Sequence, residues 1–256
     1  MIEVKQITKS FGDHLVLHPI DATFSSGCVN LTIGASGSGK TVFLKSIVGL
    51  YDIDGGDIEY DGRSIMQMTN RQKIALRQEM GMIFQGAALF DSLTVEENVR
   101  FPLDMLTDMT LEERTERANF CLRRVKLTNA NHLLPSEISG GMQKRVAIAR
   151  AIALNPRYLF CDEPNSGLDP KTSLLIDDLI HDITVEYQMT TVINTHDMNS
   201  VMNIGDNIVF IKDGVKEWQG TKDQVITSNN QALNDFIFAS DLFRKVKEVE
   251  MQQEEG

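Results

Sequence analysis

The sequence predicts an α/β protein with a mostly parallel sheet and an inserted helical arm. Short apolar segments typical of buried strands alternate along the chain with amphipathic segments typical of helices. From about residue 93 to residue 155, charged and helix-favouring segments dominate instead, which indicates a helical insertion. We therefore expect one domain over residues 1–230, followed by a tail over residues 231–256 that begins as a helix and ends acidic.

The predicted elements follow one another at short intervals. A helix over residues 41–48 is closed by Gly49, and Asp61-Gly62 predicts the turn of a hairpin. A longer helix over residues 171–187 carries apolar residues on one face, namely Leu174, Leu175, Leu179 and Ile183. The predicted strands are IEVKQIT (2–8), LVLHPIDATF (15–24), CVNLTI (28–33), the hairpin GDIEYDGRSI (56–65), MGMIFQ (80–85), RYLFCDE (157–163), TTVINTHD (190–197), NIVFIKDG (207–214) and KEWQG (216–220).

Composition narrows the class of protein. The chain has 256 residues, of which 42% are apolar, and a formal charge of −11. Nucleic-acid binding would need a localised basic face on this acidic background, so we expect no nucleic-acid partner. The N-terminus lacks the apolar core of a signal peptide, and no segment approaches the roughly 20 apolar residues of a membrane span. We therefore expect a cytosolic chain that reaches a membrane only through a partner.

A phosphate-binding motif lies between a predicted strand and a predicted helix. The segment GASGSGKT fits the pattern G-x-x-x-x-G-K-[ST], in which the glycines let successive N–H groups turn toward a phosphate. The helix that follows adds the positive end of its dipole. In this pattern Lys40 binds the β- and γ-phosphates and Thr41 binds Mg²⁺, so ATP and Mg²⁺ are the predicted cofactors. The predicted phosphate-binding residues are Gly34, Ala35, Ser36, Gly37, Ser38, Gly39, Lys40 and Thr41.

Two adjacent carboxylates end the apolar strand YLFCDE. Burying charge without a partner is unfavourable, so Asp162 and Glu163 indicate a site at this strand end. A nucleotide triphosphatase with the phosphate-binding motif needs an acidic residue at the end of a buried strand to hold Mg²⁺, and Asp162 meets that need. Glu163 is the candidate general base that polarises the attacking water.

Three further residues are candidates for the same site. His196 follows the strand TTVIN and would lie beside the strand of Asp162, where it can hydrogen-bond a γ-phosphate. Gln85 follows the strand GMIF and is a candidate ligand of Mg²⁺ or of the attacking water. Phe11 precedes a turn, where an exposed ring could stack on a purine, although its spacing suits core packing equally well.

A second anion-binding helix start lies in the segment EISGGMQKRVAIAR. Ser139 is placed to cap the helix, and Gly140 and Gly141 let a ligand approach the backbone. We expect Arg145 and Arg150, farther along the helix, to brace it against nearby acids.

These motifs, in this order and at these spacings, resemble those of the ABC ATPase family. The resemblance runs from residue 2 to about residue 220 and includes the phosphate-binding loop, the Gln85 loop, ISGGM, YLFCDE, SGLD and His196. It implies an ABC ATPase fold, which has a RecA-like P-loop NTPase core, an N-terminal antiparallel β-subdomain and an α-helical subdomain.

The resemblance also implies how the candidate residues act. Two copies would pair head to tail, so that the helix start of one copy faces the ATP held by the phosphate-binding loop of the other. Phe11 would stack on adenine, and Asp169 would link the two sites across the dimer. The residues that would contact the partner's nucleotide are Ser139, Gly140, Gly141 and Met142.

A narrower resemblance concerns the transported cargo. The segments FQGAALFDSLTVEENVRFPL and SGGMQKRVAIARAIALNP, with Met142 where most transporter ATPases have Gln, are similar to ATPases of Mla/MCE-type systems, which move phospholipids between bacterial membranes. This narrower resemblance implies a multi-span permease, a lipid-binding MCE protein and in some systems a STAS-domain protein as partners, at the cytoplasmic face of the bacterial inner membrane.

Leu89 and Phe90 would be partly exposed where the permease docks. Ile138 and Asn165-Ser166 depart from the usual Leu and two threonines and leave the chemistry intact.

Other functions remain open on the sequence. An ABC ATPase for another cargo, such as an amino acid or a metal, shares every catalytic residue and differs only in its permease. A chromosome or repair ATPase of the SMC/Rad50 type would need long heptad coiled coils, whereas only 52 residues separate Gln85 from Ile138. A small-molecule kinase would need an acceptor pocket and would not need ISGGM or His196.

Overall fold

The computed structural model describes residues 1–238, and strands and helices alternate over most of that range. The strands are β1 (Ile2–Phe11), β2 (His14–Phe24), β3 (Cys28–Ile33), β4 (Gly55–Tyr60), β5 (Arg63–Ser64), β6 (Met80–Ile83), β7 (Tyr158–Asp162), β8 (Thr190–Thr195), β9 (Asn207–Lys212) and β10 (Val215–Gly220). The helices are α1 (Lys40–Val48), α2 (Asn70–Gln78), α3 (Val95–Leu106), α4 (Leu111–Arg124), α5 (Gly140–Ala151), α6 (Pro170–Tyr187), α7 (Met198–Ile204), α8 (Lys222–Thr227) and α9 (Gln231–Ile237). In residues 1–238 no helix combines the length and apolarity needed to cross a bilayer.

The strands form two sheets. One is antiparallel with the order β2-β1-β4-β5, and the other has the order β10-β9-β3-β8-β7-β6. In the second sheet every neighbouring pair from β9 to β6 is parallel, and only β10 runs antiparallel. The predicted α/β class, with a mostly parallel sheet and an N-terminal antiparallel sheet, is confirmed.

The centre of the parallel sheet is the most buried part of the molecule. Every residue of β7 and β8 is buried, as is all of β3 after its first residue. The pairings Ile33–Thr195 and Asp162–Asn194 bring the carboxyl ends of these three strands to one edge. In an open α/β sheet this edge is where ligands bind, because the loops that follow adjacent strands converge there.

The helical arm begins its first two helices with paired side-chain and backbone hydrogen bonds. Thr94 caps α3 and Thr110 caps α4, and Glu97 and Glu113 each accept a bond from the backbone N–H of the capping threonine. This reciprocal pairing satisfies N–H groups that a helix start otherwise leaves open, so it defines where each helix begins. Helices α3, α4 and α5 then bury apolar side chains such as Val99 against one another.

The structure corrects the sequence prediction for α6. Leu174 is 45% exposed and Leu175 is 56% exposed, whereas Ile176, Ile180 and Ile183 are buried. The buried isoleucines are spaced by four and three residues, so they form the stripe that packs on the sheet. The sequence prediction was therefore right for Ile183 and wrong for Leu174 and Leu175, because α6 carries apolar residues on two sides. Leu179, also predicted, is partly buried and packs against the core.

Three helices in the first 238 residues, α2, α7 and the six-residue α8, were not predicted. Helix α2 is mostly polar and buries only Leu76, so it lacks a strong apolar periodicity. Its start at Thr69 is nevertheless marked by a capping box with Gln72. Helix α7 has only seven residues, too few for a periodic pattern to be distinctive. The predicted helical start of the tail coincides with α9, and its acidic end lies outside the described residues.

Candidate nucleotide-binding site

The phosphate-binding loop connects β3 to α1 at the carboxyl edge of the parallel sheet. Gly34 has φ 153°, and a Cβ built on it would lie 2.1 Å from the carbonyl oxygen of Ile211. Gly39, which precedes α1, has φ 101°. Both glycines have a positive φ that other residues rarely adopt. Gly34 is also too close to the neighbouring strand β9 for any side chain. The loop therefore follows the path at which successive N–H groups face a bound anion.

Lys40 is buried at the bottom of this loop. Its Nζ donates hydrogen bonds to the carbonyl oxygens of Gly34 at 2.8 Å and Ala35 at 2.9 Å. Burial lowers the pKa of Lys40, and the nearby carboxylates of Glu163 and Asp162 oppose that shift. An ammonium group that is desolvated yet surrounded by neutral carbonyls gains strongly from an anionic ligand.

A cavity of about 570 Å³ lies above the loop. It brings together separate parts of the chain: the loop, Gln85 two residues after β6, and the residues that directly follow β7 and β8. Predicted site residues that line it are Ala35, Ser36, Gly37, Gly39, Lys40, Thr41, Gln85, Glu163 and His196. Ser38 is buried beneath the loop, and its hydroxyl has no hydrogen-bond partner among the described residues.

The predicted metal ligands Thr41 and Asp162 are adjacent. The hydroxyl of Thr41 donates to Oδ1 of Asp162 at 3.3 Å, and Nδ2 of Asn194 donates to the same oxygen at 3.1 Å. Hydroxyl and carboxylate oxygens are the ligands that Mg²⁺ prefers, usually together with phosphate oxygens. The pair fits Mg²⁺ held between the protein and the phosphates of a nucleotide. Asn194 was missed by sequence analysis, although a polar residue within the buried strand TTVINT is an available signal.

Glu163 and His196 form a pair at the next position along the same edge. Nδ1 of His196 lies 2.9 Å from Oε1 of Glu163. The Glu163 side chain is 15% exposed and the His196 side chain 65% exposed, so the ring lies on the solvent side of the carboxylate. Glu163 has φ 50°, in the left-handed region, and its N–H donates to the carbonyl of Asn194. A carboxylate fixed in this way beside an open cavity can accept a proton from a water molecule.

Gln85 contacts the segment that follows Glu163. Its Nε2 donates to the hydroxyl of Ser166 at 3.2 Å, while its backbone carbonyl accepts a hydrogen bond from Nζ of Lys144 on α5. Lys144 is buried, and burial lowers its pKa. Gln85 therefore lies in the cavity, but its side chain bonds a serine here. Its predicted role as a ligand of metal or water stays a prediction.

The predicted partners of two arginines on α5 were wrong. Arg150 donates to the carbonyls of Ala87 and Ala88, both at 2.8 Å, and Arg145 donates to the carbonyl of Lys126. These partners are backbone oxygens rather than acids, because the loops they belong to leave carbonyls without strand or helix partners. Ala87 and Ala88 have φ values of 62° and 48°, so the contacts from Arg150 hold a strained part of the loop after Gln85.

The residues of the second helix start lie away from the first cavity. Ser139 caps α5 by accepting a hydrogen bond from the N–H of Met142 at 3.3 Å, while the Met142 side chain packs against the core. Ser139, Gly140 and Gly141 line a separate cavity of about 570 Å³ together with Asp169. Asp169 caps α6, and hydrogen bonds from Thr172 lower its pKa. Within one chain, these residues do not share a cavity with the phosphate-binding loop.

Phe236 lines the nucleotide cavity, whereas the predicted Phe11 does not. Phe11 has an exposed ring that packs edge-on against Tyr51 with ring centroids 5.2 Å apart, and it is not among the cavity's lining residues in the described part of the chain. Its predicted stacking on adenine stays a prediction. Phe236 of α9 does line the cavity and stacks on Phe210 of β9, with centroids 5.3 Å apart. It was missed because α9 lies beyond the motifs that the sequence analysis used.

Comparison with known proteins gives several relatives with different cargoes. The chain is 35% identical over 236 residues to the probable ribonucleotide transport ATP-binding protein mkl of Mycobacterium leprae, covering 92% of this chain and 68% of the relative. It is 35% identical over 237 residues to the intermembrane phospholipid transport system ATP-binding protein MlaF of Haemophilus influenzae, covering 93% and 90%. It is 38% identical over 239 residues to the glutamine transport ATP-binding protein GlnQ of Escherichia coli, covering 93% and 98%. The chain thus spans about two thirds of the length of mkl.

The fold and the family model agree with these relatives. A dimeric structure of a post-hydrolysis state of the ATP-binding cassette MJ0796, bound to ADP and Pi, superposes with a TM-score of 0.78 at 34% identity, covering 87% of this chain and 99% of that one. The family model described as ABC transporter matches residues 17–166, which include the phosphate-binding loop, Gln85, Ser139 and Glu163. The fold and these matches together show that the chain belongs to the ABC transporter family and is an ATP-binding subunit that hydrolyses ATP.

Proposed function

We propose that the chain works as a head-to-tail dimer that hydrolyses ATP to drive a membrane permease, with phospholipid as the cargo moved between bacterial membranes. One observation carries the dimer: the phosphate-binding loop and Glu163 share one cavity, whereas Ser139 and Asp169 line another. A helix start with open N–H groups has no nucleotide to bind within its own chain, and a second copy would supply one. The similarity to a dimeric cassette supports this arrangement.

The chain's own groups divide the work of hydrolysis. Lys40 would leave the carbonyls of its own loop for the terminal phosphates, and Thr41 with Asp162 would hold Mg²⁺. Mg²⁺ supplies positive charge that offsets the charge on the transferred phosphoryl group. N–H groups at the Ser139 helix start of the partner copy would approach the same phosphates from the opposite side. Catalysis of this reaction depends on such positioned charge and donors rather than on covalent chemistry.

Glu163 and His196 would act on the attacking water. The carboxylate of Glu163 accepts the hydrogen bond from His196 at 2.9 Å and keeps its other oxygen for water. His196 is well exposed toward the cavity, so its second ring nitrogen can reach a γ-phosphate. Orientation of the base by a neighbouring ring keeps the proton-accepting oxygen in place.

The segment from Gln85 to Phe90 would transmit the change to the permease. Phe90 is 42% exposed and packs on Phe101 with centroids 4.5 Å apart, whereas Leu89 packs against the core. The backbone of Phe90 is held by the buried amide of Asn98, which accepts from the N–H of Phe90 and donates to its carbonyl. The loop is therefore fixed to the helical arm on one side and contacts Ser166 through Gln85 on the other. Loss of the γ-phosphate changes the contacts that hold the dimer closed, and that difference in affinity is what can move a permease.

Phospholipid is the cargo that the residues favour. Met142 and the segment from residue 84 to residue 103 resemble Mla/MCE-type ATPases, and MlaF is among the relatives. The accompanying partners would be a multi-span permease, an MCE protein and a STAS-domain protein, with the chain bound at the cytoplasmic face of the inner membrane through the permease. An amino-acid permease is the second candidate, because GlnQ is 38% identical to this chain.

The hydrolytic dimer is tested with Glu163→Gln. This variant retains the shape of the site but lacks the base, so we expect it to bind ATP, hydrolyse it at least about a hundredfold more slowly and elute as a dimer in ATP. Glu116→Gln makes the same change at an exposed carboxylate of α4 and serves as a matched control with ordinary turnover. Normal turnover by Glu163→Gln would refute the assignment of the base.

The cargo is tested by purifying the full chain from bacterial membranes and analysing what accompanies it. The proposal predicts a permease, an MCE protein and bound phospholipid identified by mass spectrometry. Purification with an amino-acid permease and a periplasmic amino-acid-binding protein would overturn the assignment of phospholipid and support the second candidate.

A further inference from the structure

The nucleotide-binding chemistry described above makes no use of a buried carboxylate on α6. Asp177 is 1% exposed and lies between Ile176 and the exposed Asp178 on the helix that packs against the parallel sheet. Its Oδ1 accepts a hydrogen bond from Nδ2 of Asn165 at 2.6 Å, and its carboxylate accepts a second from the hydroxyl of Ser200. A carboxylate at this depth is costly unless such donors surround it.

The two donors belong to the two segments that carry the proposed base and its partner. Asn165 lies two residues after Glu163, and Ser200 lies four residues after His196 in the first turns of α7. The donors also contact each other, since Nδ2 of Asn165 lies 3.2 Å from the hydroxyl of Ser200. The three side chains thus form a closed triangle that joins the segment after Glu163 to the segment after His196.

The side chain of Asn165 makes its hydrogen bonds within this triangle. Its Oδ1 is buried and has no hydrogen-bond partner among the described residues, so the amide is oriented by its Nδ2 contacts alone. Its backbone carbonyl accepts from the N–H of Leu168 and forms part of the turn that leads to α6. Removing the carboxylate would leave this amide without its shortest bond and free the turn after Glu163 to shift.

We propose that Asp177 is a positioning residue that, through Asn165 and Ser200, holds Glu163 and His196 at the separation at which they share a hydrogen bond. The inference rests on the proposed function, because it assigns a role in the hydrolysis step. Asp177 does not touch the cavity, so its effect reaches the reaction only through the segments after Glu163 and His196.

The hydrogen bonds that Asp177 accepts from Asn165 and Ser200 depend on pH, because its carboxyl group titrates in the physiological range. Burial raises the pKa of Asp177 to about 6, an effect that the hydrogen bonds from Ser200 and Asn165 oppose. The titratable groups that act on it from the packed elements are Asp178 on α6, Asp197 at the start of α7 and the buried thiol of Cys161 on β7. Above this pKa the carboxylate accepts from both donors. Below it, one of the two oxygens carries a proton and becomes a donor, so one of the two hydrogen bonds loses its acceptor and the triangle loosens.

The experiment compares the full-length wild-type chain with Asp177→Asn at pH values from 5 to 8.5. Because the variant resembles the protonated carboxyl group, we expect its kcat for ATP to be lower by about tenfold at pH 8, the rate effect of one lost hydrogen bond to a charged group. The ratio of wild-type to variant kcat should fall to about one at pH 5 with a midpoint near the pKa of Asp177. Groups that titrate in both proteins cancel in this ratio. KM for MgATP should change less than about twofold, because the phosphate-binding loop is not involved.

Glu116→Gln is the control. It removes a carboxylate charge at an exposed site of α4, and its ratio to wild type should stay near one at every pH. Ser200→Ala gives a second variant if Asp177→Asn does not fold, and it should lower kcat in the same direction while leaving KM in place. A ratio for Asp177→Asn that is one at pH 8, or that does not vary with pH, overturns the proposal. If wild type itself does not hydrolyse ATP, the proposed function fails, and that result is distinct from wild-type turnover with an unchanged ratio.

Discussion

Replacing Asp177 by asparagine should change how the stability of the protein depends on pH. The pKa of Asp177 is raised from 3.8 in an unfolded chain to about 6 in the folded one. A carboxyl group with a raised pKa binds its proton more tightly in the native state, so its contribution favours folding below pH 4 and is lost as the pH rises to about 6. An asparagine side chain does not titrate in this range, so the variant lacks this dependence.

The size of the effect follows from the shift. About two pKa units at about 1.36 kcal/mol each give about 3 kcal/mol for the full transition. Asp177 is 1% exposed, so solvent screening reduces this value little. Relative to Asp177→Asn, the free energy of unfolding of wild type should therefore rise by about 2.5 kcal/mol between pH 7 and pH 4, where the unfolded-state carboxyl group is still partly ionised. Other carboxylates, such as Glu79 with its lowered pKa, titrate in both proteins and cancel in the difference.

The measurement is urea unfolding of both proteins at half-unit steps of pH, followed by circular dichroism. The transition midpoints and slopes give the two free energies at each pH, and their difference is plotted against pH. Glu116→Gln, measured in the same way, should show a nearly flat difference because that carboxylate is exposed on α4. A flat difference for Asp177→Asn, or one that rises with pH, would refute the reasoning about its burial.

Three further substitutions test the loops of the site. Asn98→Leu should lower the free energy of unfolding by about 2–4 kcal/mol in urea denaturation, because the N–H and carbonyl of Phe90 lose their buried partner. Arg150→Met should speed amide hydrogen exchange in the loop after Gln85 while ATP affinity changes less than about threefold; slow exchange there would contradict the role of its two carbonyl contacts. Gly34→Ala should abolish ATP binding in calorimetry, since its Cβ would meet backbone at 2.1 Å. The same change at Gly37 meets nothing within 4 Å and adds only the strain of a φ of 80°, so it should weaken binding less; equal losses would contradict this.

The local motifs were predictable because their chemistry is local. The path of GASGSGKT is dictated by its own glycines, and a run of apolar residues ending in two carboxylates marks a buried strand end. Adjacent parallel strands then place those ends at one edge, which accounts for the cavity that joins Lys40, Glu163 and His196.

The remaining contacts depend on tertiary packing. Nothing near Arg150 in sequence indicates that its partners are carbonyls more than sixty residues away. Asp177 follows Ile176 in a helix with apolar residues on two sides, so the sequence alone does not reveal which side is buried. Asn98 looks like an ordinary polar residue of a helix in the sequence. Only in the folded protein is it buried, where its amide hydrogen-bonds the backbone of the loop that precedes α3.

The composite site is the central claim, and mixing two inactive variants tests it most directly. Lys40→Ala disables the phosphate-binding loop, and Ser139→Arg blocks the helix start that would face the partner's nucleotide. Neither variant alone should hydrolyse ATP. In an equal mixture, half of the randomly formed dimers carry one intact site of two, so activity should return to about one quarter of the wild-type value. A mixture that remains as inactive as its two components would contradict the account.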